Sequence, residues 1–216
     1  MKAKKYIVLG ILFLLPISVY MFFATGVNNF VKLPILTNNV LELTQFTSPH
    51  SDTLQLENKI TVLGFFGKEV EEKKANAYNL AHKIYKKNYQ FEEFQFIILV
   101  DESQREAVDE LKERLKEIAD PVHYKFAFGS SKDIEDVFYS LQTNGALNEN
   151  FATNLVYIID KERSLRGRNN DKDVGIMYGF NASDYAEINN KMSDDIKVVL
   201  AEYRLALKKY KTKREI

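Results

Sequence analysis

The sequence predicts an α/β domain, a central sheet covered by helices on both faces, behind a single N-terminal membrane-spanning helix. Three observations predict it. Residues 6–24 form an uncharged apolar stretch. Four short apolar runs rich in β-branched and aromatic residues follow, at 60–66, 94–100, 124–128 and 154–159. Between them lie segments whose apolar residues recur at helical spacing.

The N-terminus reads first as an anchor. Lys2, Lys4 and Lys5 precede 19 uncharged residues, which as a helix span about 28 Å, close to the roughly 30 Å of a bilayer core. Pro16 kinks such a helix without forbidding it. The lysines belong on the cytoplasmic side, which places the rest of the chain in the extracytoplasmic or periplasmic space. A cleaved signal peptide is the competing reading. Tyr20, Met21, Phe22 and Phe23 are bulky where a cleavage site is small, which favours the anchor. The organisation expected is therefore an anchor over 1–26, a linker and domain approach over 27–58 that meets the domain surface near 40–46, a domain over 59–210, and a charged tail over 211–216.

Composition bounds the chemistry. The chain has 216 residues, 27 of them aromatic (15 Phe and 12 Tyr), which suits one domain with a full core. Thirty basic residues balance thirty acidic ones, so no net charge draws the chain to nucleic acid. Cysteine is absent. Thiol–disulfide exchange, thiolate metal binding and cysteine nucleophiles are thereby excluded.

Along the domain, 60–66 (ITVLGFF) reads as a strand buried on both faces. A helix over 70–87 follows, with Ala77, Leu80, Ala81, Ile84 and Tyr85 inward. The run 94–100 (FQFIILV) is a second strand. Ser103 and Glu106 have capping-box spacing and open a helix with Val108, Leu111, Leu115 and Ile118 inward, stopped by Pro121. A strand at 124–128, a short helix capped by Ser130 or Ser131, and a strand at 154–159 come next. A tight turn at 160–164 leads into 165–168 running back. A polar loop at 169–173 and a short strand at 175–180 precede a last helix over 183–209, whose stripe is Tyr185, Ile188, Met192, Ile196, Val199, Tyr203 and Leu207. Parallel crossovers, then an antiparallel hairpin and a closing helix, describe a thioredoxin-like three-layer sandwich.

The same residues suggest a family. ITVLGFFG followed by a helix resembles the first strand and active-site approach of the Sco/SenC proteins, membrane-anchored thioredoxin-fold proteins of cytochrome oxidase assembly. NLVYIIDKERSLRGR resembles their strand–Asp–x–Asp–Gly–x–Leu–Arg–Gly hairpin, with Asp160, Glu162, Leu165, Arg166 and Gly167 matching and Arg163 at the turn glycine. Asp195–Arg204 resembles their last helix, and the resemblance covers roughly residues 55–207. It implies a fold and an envelope location. The copper ligands are another matter: the family's CxxxC falls on Gly67–Lys73, its metal-binding histidine falls on Phe151–Asn154, and neither segment holds a soft ligand. The cis proline that thioredoxins place near this point is missing too. No copper function carries over.

The remaining candidates are weighed against plain structural roles. His50, His82 and His123 have no partners at ligand spacing and read as surface or structural histidines. Met177 and Met192 read as core. Lys68, Glu69 and Glu72, with Glu71, Lys73 and Lys74, form a charged turn that is a docking surface, a carboxylate pair for acid–base work if its environments split the two pKa values, or more simply a solvated helix start. Arg163, Arg166 and Arg168 form a basic knot able to receive an acidic partner or a phosphate, while the resemblance gives Arg166 and Gly167 a fold-shaping role. Residues 208–214 read as a solvated end. No catalytic residue, metal site or cofactor is assigned. The function expected is a non-catalytic, membrane-anchored binding or scaffold protein with a protein partner in the envelope, by resemblance a respiratory complex, and no nucleic acid. The alternative is a metallochaperone or enzyme with non-cysteine ligands, such as His82 with methionine or carboxylates.

Overall fold

The computed structural model describes residues 2–25, 32–48 and 54–214 in two compact units, Met1–Val31 and Lys32–Ile216. The first unit is helix α1, Lys2–Thr25, which includes Pro16 and is long and apolar enough to cross a membrane.

The second unit is a mixed sheet between two helical layers. Its seven strands are β1 (Ile35–Thr37), β2 (Ile60–Gly67), β3 (Phe94–Asp101), β4 (Tyr124–Gly129), β5 (Leu155–Ile159), β6 (Leu165–Arg166) and, last along the chain, β9 (Phe180–Asn181). They lie in the order β1-β6-β5-β2-β3-β4, with β9 also paired to β5. The strands β2, β3 and β4 run parallel, and β5 returns antiparallel to β2. Two further strands, β7 (Arg168–Asp171) and β8 (Gly175–Met177), make a separate hairpin.

Strand parity builds the layers. Ile60, Val62, Phe94, Phe96, Ile98, Phe126 and Ile158 face one side. There they meet α2 (74–88), α3 (Arg105–Lys116) and α5 (185–214), through residues such as Leu80, Ile84, Leu111, Ile188, Ile196 and Val199. Both α2 and α5 carry a π-helical turn, Ala81–Tyr85 and Ile188–Met192. Leu63, Phe65, Ile97, Leu99, Tyr157 and Ile159 face the other side, against α4 (Ser131–Ser140) and the buried residues Val40, Leu43, Phe46 and Leu56. Each fully buried Phe, Ile or Leu contributes roughly 1.5–3 kcal/mol of transfer free energy. An aromatic stack runs through the first layer: Phe96 lies 4.9 Å from Tyr124, and Tyr85 meets both edge-on.

The expected α/β, thioredoxin-like architecture is therefore present, with several local corrections. Residues 32–57, expected as a linker and approach, belong to the compact unit: they supply β1 and five core residues, Leu33, Val40, Leu43, Phe46 and Leu56. Pro49 and His50 lie outside the described residues. The helix expected from 70 begins at Lys74. Ser103 does not cap α3. Asp101 captures the Ser103 amide instead and opens a 3-10 turn, Glu102–Gln104, that leads into the helix. The capping box sits one helix later, where Ser130 and Asp133 exchange bonds at the start of α4. The polar loop expected at 169–173 is largely strand β7, and the strand expected over 175–180 is split between β8 and β9.

Candidate functional site

The parallel strands end together, and at that end of an open α/β sheet ligands commonly bind. Strand β2 terminates in Gly67 at φ +49°. A side chain there would press on backbone, because a Cβ would stand 2.1 Å from the Asn150 oxygen and 2.5 Å from that of Phe151. The absent side chain lets the turn after β2 close onto the loop before β5, joined by the Lys68 amide donating to Asn150 O (2.9 Å).

A polar network locks this closure. The Glu69 carboxylate accepts from Asn148 Nδ2 (2.8 Å) and Asn150 Nδ2 (3.0 Å) and faces the Lys73 ammonium at 3.4 Å. Lys73 Nζ donates onward to Asn154 Oδ1 (2.7 Å), which also accepts from Asn76 Nδ2 (3.0 Å). Lys73 and Asn76 are buried. The Asn150 bond, with help from Asn148 and Lys73, holds the Glu69 carboxyl below its ordinary range. Asp101 stands alongside and accepts from Ser103 and Ser131. Burial raises its pKa, but those bonds and the Lys68 charge prevail and leave it lowered. Lys68 is exposed and lies 5.5 Å from the Phe151 ring centre, and Glu72 is exposed. Both carboxyls of the network are pulled toward the ionised form, the opposite of what a general acid near neutrality needs.

The six residues singled out in the sequence do not meet. Lys68, Glu69 and Glu72 follow the end of β2. The hairpin at 160–164 lies beside its start, where Thr61 pairs with Ile159. Arg163 takes the left-handed conformation (φ +59°) at that turn, the geometry a glycine usually supplies. Arg166 is buried and turned inward, donating to Asp160 Oδ2 (3.0 Å), Glu202 Oε2 (2.7 Å) and twice to Leu33 O. Burial pulls its pKa down, but the bonds and charges of Glu202 and Asp160 outweigh this and raise it.

Arg168 grips Asp195 with two bonds (2.7 and 2.9 Å) and Asp171 at 3.4 Å. Lys191 bridges Asp171 and Asp173. The Lys191 bond pushes the Asp171 carboxyl down to about 2, from an ordinary 3.8. Its stabilising contribution is therefore complete above about pH 4 and is lost as pH falls toward 2. In urea titrations across that window, Asp171→Asn should flatten the acid-side loss of stability.

The network's asparagines were not picked from sequence, although Lys73 was named in the charged turn. The signal available was the density of asparagines in the segment 148–154 (NENFATN), a residue type that bonds backbone in irregular loops. His82 is exposed on α2, while Met177 and Met192 are core residues. Among the described residues no three His, Asp or Glu side chains converge as a metal site. The copper chemistry that the resemblance would imply does not fit the donors here: an ammonium, a carboxylate and carboxamides fill the turn.

No family model matches the chain, and no curated protein does. Solved structures do. A protein of Aquifex aeolicus VF5, provisionally described as an electron transfer protein, superposes with a TM-score of 0.52 at 13% identity, over 76% of this chain and 97% of its own. BsSco, a member of the Sco family of cytochrome c oxidase assembly proteins in which a disulfide switch was identified, superposes with a TM-score of 0.53 at 12% identity, over 78% of this chain and 98% of its own. At these identities the likeness is one of fold.

Proposed function

We propose that this chain is held in a membrane by α1, with its thioredoxin-like unit on the extracytoplasmic side, and works there by binding a protein rather than by catalysis. The observation that carries the reading is the Glu69–Lys73 pair. Its members stand four residues apart, the spacing that separates the two cysteines of the Sco/SenC motif, and they are tied into Asn76, Asn148, Asn150 and Asn154. A saturated network at the turn after β2 leaves no nucleophile, electron acceptor or soft donor in place, but keeps the surface rigid. Lys68 and Glu72 present charge beside it. The fold shared with BsSco makes assembly of a respiratory oxidase the setting we infer for the partner. The lysines at 2, 4 and 5 support the orientation.

Two measurements test this. A photo-crosslinking residue at Lys68 or Glu72, in native membranes, should capture a defined protein that the same residue on the outer face of α3, at Glu113, does not. Anaerobic Cu(I) titration of the full chain in lipid nanodiscs should show no stoichiometric site of sub-micromolar affinity. Such a site, lost on His82→Ala, would instead establish a metallochaperone with non-cysteine ligands.

A further inference from the structure

Helix α5 enters its last stretch from one corner of the second unit. Glu202 there accepts from Arg166 Nη2 (2.7 Å) and faces Lys32 Nζ at 3.3 Å, and the same guanidinium donates to Leu33 O. Tyr203 donates to Glu162, and Arg204 lies 5.3 Å from the Phe91 ring centre. The first residues of the unit, Lys32 and Leu33, therefore stand beside residue 202. In sequence, Thr25, which ends α1, is seven positions before Lys32. Seven residues reach at most about 25 Å. Chain length alone thus keeps this corner close to any bilayer that holds α1.

From that corner α5 runs on to Arg214. Residues 205–214 read Leu-Ala-Leu-Lys-Lys-Tyr-Lys-Thr-Lys-Arg, five of them basic and none acidic, over about 15 Å of helix. The chain as a whole balances thirty basic residues against thirty acidic ones, so this is a local concentration of charge. The helix dipole does not account for it, because it favours cations in the last turn only and the run begins at Lys208. Arg204 and Lys208, Lys208 and Lys211, Lys209 and Lys213, and Lys211 and Arg214 are like charges at the spacing where helical neighbours meet, which weakens a helix in water. An anionic surface removes that penalty. Tyr203, Leu207 and Tyr210 recur in sequence at i, i+4 and i+7, an apolar stripe among the lysines, which is the pattern of helices that lie in a membrane interface.

We propose that residues 205–214 bind the anionic phospholipid headgroups of the bilayer that α1 crosses, as a second attachment of the chain to its membrane. The assignment rests on the anchored reading above and adds to it. Each Lys or Arg beside an anionic surface strengthens such a contact about fivefold, the equivalent of ~1 kcal/mol. The tether to α1 confines the helix end near the lipid, so a contact made within one molecule needs little affinity of its own. A soluble polyanion would meet the same lysines without that confinement. A single tether leaves the unit free to turn, whereas two attachments fix which of its faces is offered to a partner.

The test uses the full chain in nanodiscs of phosphatidylcholine, with and without phosphatidylglycerol as roughly a third of the lipid, a fraction chosen to give a strongly anionic surface. The chain has no cysteine, so Thr212→Cys takes a single environment-sensitive nitrobenzoxadiazole dye. Its emission should brighten and shift to the blue in the anionic discs only, and the change should vanish in about 0.5 M NaCl. Amide exchange over 205–214 should slow about fivefold or more in the same discs. Replacing Lys208, Lys209, Lys211 and Lys213 together by glutamine should abolish both responses, and the dye on Glu113→Cys, on α3, should show neither. Equal emission and exchange in the two kinds of disc would overturn the headgroup contact, as would a response that survives the four glutamines. Flotation with phosphatidylcholine vesicles reads α1 separately: a chain that does not float with them but responds to phosphatidylglycerol would overturn the anchor and leave the headgroup contact standing. Failure to crosslink a protein at Lys68 or Glu72 would sink the protein partner without moving any of these readouts.

Discussion

Replacing Arg166 by alanine is expected to lower unfolding stability by about 3–5 kcal/mol, the usual consequence of leaving a buried charge without its partner. The guanidinium is 3% exposed and joins three parts of the unit: Asp160 at the hairpin, Glu202 on α5 and the Leu33 carbonyl at the start of the domain. Without it, the buried Asp160 carboxylate loses its countercharge. Urea unfolding followed by tyrosine fluorescence measures the loss, since the chain has no tryptophan. The double variant Arg166→Met with Asp160→Asn should recover part of it. An asparagine oxygen can still accept from the Glu162 and Ser164 amides, as Asp160 Oδ1 does, while no unpaired charge remains. A loss under about 1 kcal/mol for Arg166→Ala would mean that the inward-facing ion pairs contribute no more than surface ones.

Gly67→Ala is expected to be comparably harmful and to act on the candidate site itself. A left-handed alanine costs about 1–2 kcal/mol, and the methyl would meet backbone oxygens of Asn150 and Phe151 that cannot rotate aside. The turn and the loop must then part. That breaks the Lys68 amide bond to Asn150 and loosens the two asparagine bonds to Glu69, at about 0.5–1.5 kcal/mol each. The total loss expected is about 3 kcal/mol or more. Amide exchange should rise at 67–70 and 148–151 while the aromatic stack around Phe96 stays protected. Protection unchanged in those two segments would show that they are not held by each other.

The parts of the fold that were legible in the sequence are those with long apolar runs. The strands at 60–66, 94–100 and 155–159 stand out because both faces are buried, and α3 because its polar and apolar faces are so distinct. What escaped had physical reasons. Strand β1 is three residues long and pairs with Leu165 and Arg166, about 130 positions away, so no local pattern marks it. Strand β7 reads Arg-Asn-Asn-Asp, without alternation, because salt bridges to α5 hold it. Ser103 lost its capping role because Asp101, two residues earlier, accepts from both its amide and its hydroxyl. The charged turn after β2 was visible as a candidate, but its partners were not. Asn148, Asn150 and Asn154 arrive from some eighty residues away through the pairing of β2 with β5. Arg166 and Arg168 look like a surface knot in one dimension, and only the folded chain shows them pointing at Asp160 and Asp195.

The short strand at 35–37 has a practical consequence for anyone excising the second compact unit. A version trimmed to start at 40 would discard the outermost rung of the sheet and two acceptor bonds to one guanidinium, leaving Leu165 and Arg166 as a raw, unsheathed border. Such a border invites strand exchange between copies. Starting at Lys32 should yield monomers, and starting at 40 should yield oligomers on a sizing column.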